Sequence, residues 1–211
     1  MSRRVTAASA LQKLREGNAR FAANARGTGT LITAARRAQL TAAQEPFAIV
    51  LGCSDSRVPV ELVFNQGPGD LFVIRVAGNI VAPSLIGSVE FAAERFGTRL
   101  VVVLGHSSCG AIAATIEDLH RPAPDSSPHM LDIVDRIRPG VEEIVARHEA
   151  EGALAVEHAV MTANVRASVD QLRHGSTIVE SLIANDGLVV TGAWYSLENG
   201  KVEFLDDASA A

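Results

Sequence analysis

Four short segments of almost entirely apolar residues, rich in valine, isoleucine and leucine, set the fold class of this chain. They are residues 47–52, 71–76, 100–105 and 188–194. Strands without polar alternation are buried on both faces, as in the interior of a parallel sheet. A further apolar segment, 202–205, follows an Asn-Gly pair that is a strong hairpin signal. The sequence therefore predicts a mostly parallel sheet of four strands plus an antiparallel edge strand.

Segments with helical periodicity separate these strands, so the predicted class is α/β with helices flanking the sheet. One such helix begins near Ser84, and others fill residues 130–185 with a break near Gly152. Before the first strand, residues 1–43 are rich in alanine and arginine and predict an N-terminal arm of two helices, interrupted at 27–30. Residues 120–129 contain three prolines and predict a surface loop.

A chain of 211 residues with no linker between its segments predicts a single domain, 1–211, made of the arm 1–43 and a core at 44–211. Its 24 acidic and 19 basic residues leave no basic surface for nucleic acid or anionic lipid. No apolar run is long enough to cross a membrane. The basic N-terminus lacks a hydrophobic signal region, so we expect a cytoplasmic protein.

The chain has only two cysteines, and both come directly after predicted strands. Cys53 follows the first strand, while His106 and Cys109 follow the third. Ligands of open parallel sheets bind beyond the carboxyl ends of the strands, so these three side chains are expected to converge there. Two thiolates and one imidazole leave a fourth tetrahedral position open, as in a catalytic zinc site. Alternatively, a buried cysteine is simply a small apolar residue, and an isolated His-x-x-Cys is common by chance.

The surroundings of the two cysteines add detail to this hypothesis. Ser107 or Ser108 is expected to cap the helix that begins near Cys109. The sulfur of Cys109 would then lie near the positive end of that helix. Asp55 lies two residues from Cys53, so it either becomes a fourth ligand or accepts a hydrogen bond from water on the metal. An ion pair with Arg57 favours the second role. The other histidines are expected at the surface: His120, His129, His148, His158 and His174.

Four motifs in this order and spacing resemble the β-class carbonic anhydrases. They are Cys-Ser-Asp-Ser-Arg at 53–57, Pro-Gly-Asp-Leu-Phe-Val-Ile-Arg at 68–75, Ala-Gly-Asn at 77–79 and Gly-His-Ser-Ser-Cys-Gly at 105–110. The resemblance extends over roughly residues 44–205. It implies reversible hydration of CO₂ to bicarbonate and a proton, by attack of a zinc-bound hydroxide. By this resemblance Cys53, His106 and Cys109 bind one Zn²⁺ per subunit, and Asp55 and Arg57 form the catalytic dyad.

The resemblance also implies a substrate pocket and an oligomer. Gln44 falls where plant-type members place a substrate-binding glutamine, and the backbone of Gly110 is expected in the pocket. Phe72 and Phe91 fall at positions that line its apolar side. That pocket is assembled at a dimer interface in the family, so a homodimer or homotetramer is expected.

Family members that inhibit themselves at a bicarbonate site carry a tryptophan, an arginine and a tyrosine. Here Arg75 matches the arginine, but Val50 replaces the tryptophan and Phe91 replaces the tyrosine. The resemblance therefore implies the open, non-allosteric type, with Arg57 holding Asp55 off the metal. Two other functions compete with this prediction. The first is CS₂ or COS hydrolysis at the same zinc site, and the second is a non-catalytic, zinc-stabilised scaffold.

Overall fold

A computed structural model describes residues 5–25, 33–121 and 127–205. Within these residues the sheet has the order β2-β1-β3-β4-β5. Its strands are β1 (Ala48–Gly52), β2 (Leu71–Arg75), β3 (Leu100–His106), β4 (Val189–Tyr195) and β5 (Val202–Phe204). The first four are parallel and β5 is antiparallel to β4. The predicted sheet is confirmed, and each strand end lies within one residue of its predicted position.

Helices cover both faces of this sheet. They are α1 (Ala7–Ala22), α2 (Ala34–Leu40), α3 (Val60–Val63), α4 (Pro83–Arg95), α5 (Gly110–His120), α6 (Pro128–Ile137), α7 (Val141–His148), α8 (Ala153–His174) and α9 (Thr177–Asp186). Gly152 has a positive φ directly before α8, which confirms the predicted break. The predicted interruption at 27–30 lies outside the described residues. The predicted loop 120–129 is too long at both ends, because His120 belongs to α5 and Pro128 and His129 belong to α6, and residues 122–126 lie outside the described residues.

Two apolar cores explain why the strands show no polar alternation. Along β3, Val101 and Val103 belong to the core that includes α4, α8 and α9. Leu100, Val102 and Leu104 face the opposite core, which includes α1 and α3. Successive residues of the strand point into opposite cores, so both faces of the strand must be apolar.

Helix α1 is packed against the sheet by its apolar side and joined to the β4–β5 hairpin by one polar side chain. Leu14 is fully buried in the second core. Asn18, only 5% exposed, donates to the carbonyls of Val63 and Gly200 and accepts from the amide of Val202. The predicted helical arm therefore covers part of the core.

Helix α8 lies close to β3 because the strand has a glycine, Gly105, where the helix packs on it. A Cβ at Gly105 would lie 2.6 Å from Val165 Cγ2 and 2.8 Å from Met161 Sδ. The chain thus brings a 22-residue helix near the end of the strand that carries His106. No helix in the described ranges has the length and apolarity needed to span a bilayer.

We predict that Gly105→Ala lowers the free energy of unfolding by about 1–3 kcal/mol, since the added methyl group overpacks the contact with α8. Urea denaturation measures the change. Gly87→Ala in α4 is the matched control, because a Cβ there meets nothing within 4 Å. It should stabilise the protein by about 0.5–1 kcal/mol through helix propensity. If Gly105→Ala proves as stable as the native chain, the close approach of α8 is wrong.

Candidate metal centre

The structure brings together the three side chains that the sequence singles out at the strand ends. Cys53 follows β1, His106 is the last residue of β3, and Cys109 directly precedes α5. Their sulfur and ring nitrogen atoms all lie within 4.8 Å of one another. All three residues are buried, at 4%, 0% and 2% exposure. One compact set of soft donor atoms therefore lies at the carboxyl edge of the sheet.

The imidazole of His106 has one nitrogen in use and one free. Its Nδ1 lies 2.9 Å from the carbonyl oxygen of Ser107, to which it donates as N–H. Its Nε2 is buried and has no hydrogen-bond partner among the described residues. An unpaired buried nitrogen is costly unless something else occupies its lone pair. A soft divalent metal such as Zn²⁺ fits this nitrogen and the two sulfurs.

The two thiols affect each other's ionisation. A hydrogen bond from Cys109 lowers the pKa of Cys53 to about 4, against the opposing effect of burial. The same interaction raises the pKa of Cys109, because its proton is held by the neighbouring sulfur. Further stabilisation of the Cys53 thiolate comes from the amide of Gly78, 3.4 Å from Sγ. A thiolate is the form of cysteine that binds a metal.

The predicted serine cap of α5 is wrong. Cys109 itself occupies the N-cap position, and α5 has no side-chain cap. The hydroxyl of Ser107 instead accepts the amide of Leu197, 3.0 Å away, beyond the end of β4. Ser108 has a positive φ of 54°, which turns the chain between the strand and the helix. These serines therefore shape the loop rather than the helix end.

Asp55 and Arg57 form the ion pair that their spacing predicts. Arg57 Nε lies 3.0 Å from Asp55 Oδ1, and Arg57 Nη2 lies 2.7 Å from Oδ2. The side-chain hydrogen bonds from Arg57 hold the pKa of Asp55 well below its ordinary range. Asp55 Oδ2 also lies 3.9 Å from the free Nε2 of His106. An ionised carboxylate thus stands beside the three donor atoms, with both of its oxygens bonded to arginine.

Two arginines connect this loop to its neighbours. Arg57 Nη2 donates to the carbonyl of Ser108, 2.9 Å away, and so joins the loop after β1 to the loop after β3. Arg75, at the end of β2, donates to the carbonyls of Cys53 and Asp55 at 2.9 and 2.7 Å. This role of Arg75 could not be predicted from the sequence, because a bond to a backbone carbonyl leaves no motif in the sequence.

Comparison with known proteins identifies the family. The family model described as carbonic anhydrase matches residues 48–202. A carbonic anhydrase of Mycolicibacterium smegmatis is 37% identical over 92% of this chain and 91% of its own length. Carbonic anhydrase 2 of Mycobacterium tuberculosis is 34% identical over 94% and 92%. This chain belongs to the β-class carbonic anhydrases.

The fold agrees with solved members of the class. One of the tetrameric β-carbonic anhydrases of Sordaria macrospora superposes with a TM-score of 0.68 at 24% identity, over 81% of this chain and 86% of that chain. The resemblance stated from the motifs is therefore confirmed, and this protein is a carbonic anhydrase. The non-catalytic scaffold is not retained.

The predicted substrate-pocket residues of this carbonic anhydrase are divided between the two ends of the sheet. Gly110 is the first residue of α5 and adjoins Cys109. Gln44 is exposed and precedes the amino end of β1, whereas Cys53 follows its carboxyl end. A strand of five residues spans about 16 Å. Phe72 pairs in register with Ile49 near the amino end of β1, so it too is distant from Cys53 along the strand.

Phe91 on α4 packs against Phe72 on the edge strand β2. Their ring centroids are 6.2 Å apart, and Phe96 contacts both rings. Phe91 is 53% exposed, which is unusual for so large an apolar side chain. The structure therefore brings Gly110 to the metal centre of the same chain, but not Gln44, Phe72 or Phe91.

The structure also places Val50 and the five histidines outside the metal centre. Val50, where self-inhibiting members carry tryptophan, is fully buried within β1. The five other histidines lie at the surface as predicted, with His148 half-buried and the rest exposed: His120, His129, His158 and His174.

We predict that Arg57→Gln raises the pKa of Asp55 toward the ordinary value of about 3.9, because the carboxylate loses its charged donor. Carbon-13 NMR titration of the Asp55 carboxyl measures it. Since the folded-state pKa is depressed, the ion pair stabilises the fold above about pH 4, and this contribution is lost as the pH falls further. Arg36→Gln, which removes the exposed pair with Asp70, is the control. An unchanged Asp55 titration in Arg57→Gln would contradict the assigned pairing.

Proposed function

We propose that this carbonic anhydrase hydrates CO₂ reversibly to bicarbonate and a proton at one Zn²⁺ per subunit, held by Cys53, His106 and Cys109. The observation that carries this proposal is the buried group of two sulfurs and one unpartnered imidazole nitrogen within 4.8 Å. Three protein ligands leave a coordination position for water, as catalysis requires. When bound, zinc supplies a Lewis acid that lowers the pKa of a water molecule toward neutrality.

Asp55 acts on the attacking oxygen rather than on the metal. Both of its carboxylate oxygens accept hydrogen bonds from Arg57, which also donates its backbone amide to Oδ1 at 2.9 Å. An aspartate ligand would have to give up part of this pairing. Asp55 therefore accepts the proton of the attacking hydroxyl group in a hydrogen bond and orients its lone pair toward the CO₂ carbon. This arrangement supports the open, non-allosteric type of site.

Gly110 is placed to bind a substrate oxygen. It is the first residue of α5, and the first amides of a helix have no partner within that helix. The space beside its Cα is open, because a Cβ at this position would meet nothing within 4 Å. The free amide can therefore position an oxygen of CO₂ or bicarbonate next to Cys109.

Metal analysis combined with stopped-flow CO₂ hydration tests the reaction. We expect about one zinc per subunit and a hydration rate that rises from about pH 6.5 to about pH 9, because the deprotonated form of the bound water is the nucleophile. Protein that contains stoichiometric zinc yet shows no hydration at the upper end of this range would refute the proposed function.

Two substitutions separate metal binding from proton handling. Asp55→Asn should retain zinc but lose about 100-fold or more of the hydration rate, because its amide is a poor acceptor for the hydroxyl proton. Cys109→Ala should lose zinc itself. Asp132→Asn is the matched control, because Asp132 is an exposed carboxylate paired with Arg136 on α6. Full activity of Asp55→Asn, or full zinc content of Cys109→Ala, would exclude the assigned role.

A second copy of the chain is needed to complete the substrate pocket. Within one chain Gln44 precedes the amino end of β1, and Phe72 on the edge strand β2 packs with Phe91 and Phe96, which lie on α4 and at its end. A large exposed aromatic side chain such as Phe91, next to an edge strand, is typical of an interface. We therefore assign Gln44 and these aromatic residues to the metal centre of a partner subunit in a homodimer or homotetramer.

Intersubunit complementation tests this arrangement. Gln44→Leu and Asp55→Asn should each be impaired alone. When equal amounts of the two variants are dissociated and reassociated together, half of the dimers contain one chain of each variant. Each of these mixed dimers has one site with both native residues. The mixture should then recover about a quarter of native activity. Activity that stays at the average of the two parents would show that Gln44 serves the metal centre of its own chain.

A further inference from the structure

The Ala-Gly-Asn motif at residues 77–79 forms a turn beside Cys53. The amide of Gly78 donates to Cys53 Sγ at 3.4 Å, within the range of hydrogen bonds to sulfur. Gly78 and Asn79 both have positive φ values, 69° and 44°. Glycine adopts this conformation freely, but asparagine does so at a cost. Two consecutive residues in this conformation therefore need contacts that hold them there.

Helix α8 supplies those contacts through two buried polar side chains. Asn164 Nδ2 donates to the carbonyl of Gly78 at 2.8 Å, and Ser168 Oγ donates to the carbonyl of Asn79 at 3.1 Å. Asn164 and Ser168 are 6% and 3% exposed. They are separated by four residues and so share one face of the helix. The turn beside the cysteine is thus bonded to a long helix packed on the sheet.

The space around Gly78 leaves the turn little freedom. A Cβ at this glycine would lie 2.9 Å from Ile137 Cδ1 and 3.0 Å from the Cβ of Ala111. The Gly78 amide and carbonyl belong to neighbouring peptide groups that meet at its Cα. Asn164 therefore acts on the direction of the amide and does not polarise it through a shared peptide bond.

We propose that Asn164 is a positioning residue for the metal centre, which holds Gly78 so that its amide donates to the Cys53 sulfur. This inference rests on the proposed zinc site. A hydrogen bond to a ligand thiolate withdraws charge from the sulfur and fixes the direction of its remaining lone pairs. Such outer contacts tune the affinity and the electronic properties of a metal site.

The chemistry of position 164 supports this role over simple packing. Apart from Ser168, its buried neighbours on α8 are apolar: Val160, Met161 and Val165. An asparagine among them is desolvated, which is costly unless its amide is bonded. Here the amide bonds to the turn that contacts a proposed ligand. A leucine has the same branched arrangement of four heavy atoms, but it cannot make this bond.

The test compares Asn164→Leu with a matched control on the same helix. Thr162→Val also replaces a polar side chain with an apolar one of similar volume, but the Thr162 hydroxyl is buried without a partner in the described part of the chain. Zinc affinity is measured by competition with a chromophoric chelator. The sulfur-to-metal charge-transfer band of the Co²⁺-substituted protein reports on the thiolate directly.

We expect Asn164→Leu to lose about 10–100-fold in zinc affinity and to shift the Co²⁺ band, because the Gly78 amide no longer keeps its direction. Thr162→Val should leave both unchanged. Native affinity and an unshifted band in Asn164→Leu, with only a lower free energy of unfolding, would show a purely structural role and overturn the inference. If Asn164→Leu does not fold, Ser168→Ala replaces it, with a several-fold loss of affinity expected and unchanged affinity as the contrary result.

The same experiment distinguishes failure of the proposed function from failure of the positioning role of Asn164. A native protein that binds neither zinc nor Co²⁺ would refute the proposed function. A native protein that binds both, together with an Asn164→Leu protein that binds them equally well, would refute only the positioning role.

Discussion

The pairing of β1 with β3 is the constraint on which the rest of the structure depends. Gly52 lies opposite Leu104, so the residues that follow each strand leave the sheet at the same edge. Two thiols and an imidazole from separate parts of the sequence are then buried together. Such a group is stable only if the thiols share or lose a proton and the imidazole finds a partner. The fold therefore places three donor atoms that could bind a metal at this edge.

Hydrogen bonds to backbone carbonyls help to hold the loops at this edge. Arg57 joins Asp55 to the loop of Ser108, and Arg75 holds the carbonyls on either side of Ser54. From the opposite side, Asn164 on α8 holds the turn at Gly78. Charged or amide donors bonded to carbonyls keep irregular backbone in place where no ladder of strand hydrogen bonds exists. The donor atoms are therefore held in place by these hydrogen bonds, although two of them, on Cys53 and Cys109, lie outside strands and helices.

Features that depend on neighbouring residues could be predicted from the sequence, whereas features that depend on contacts between distant residues could not. The sheet follows from local signals, since apolar runs such as 100–105 and the Asn-Gly pair at 199–200 each specify their own conformation. The donor set followed because cysteine and histidine stand directly after strands. The cap of α5 was wrong because Ser107 bonds to Leu197, which is 90 residues distant. Asn164 was missed for the same reason, since its partner Gly78 is 86 residues away.

The two halves of the proposed site depend differently on assembly. The donor atoms, Asp55 and Arg57 come together within one chain, so the metal half is complete in a single subunit. Gln44 lies at the far end of β1, and in our proposal a second copy of the chain completes the substrate half. Metal binding should therefore need only folding, whereas CO₂ hydration needs association as well. In the proposed dimer, the second copy of the chain covers the edge of β2, and the same contact brings the second half of the pocket to the metal centre.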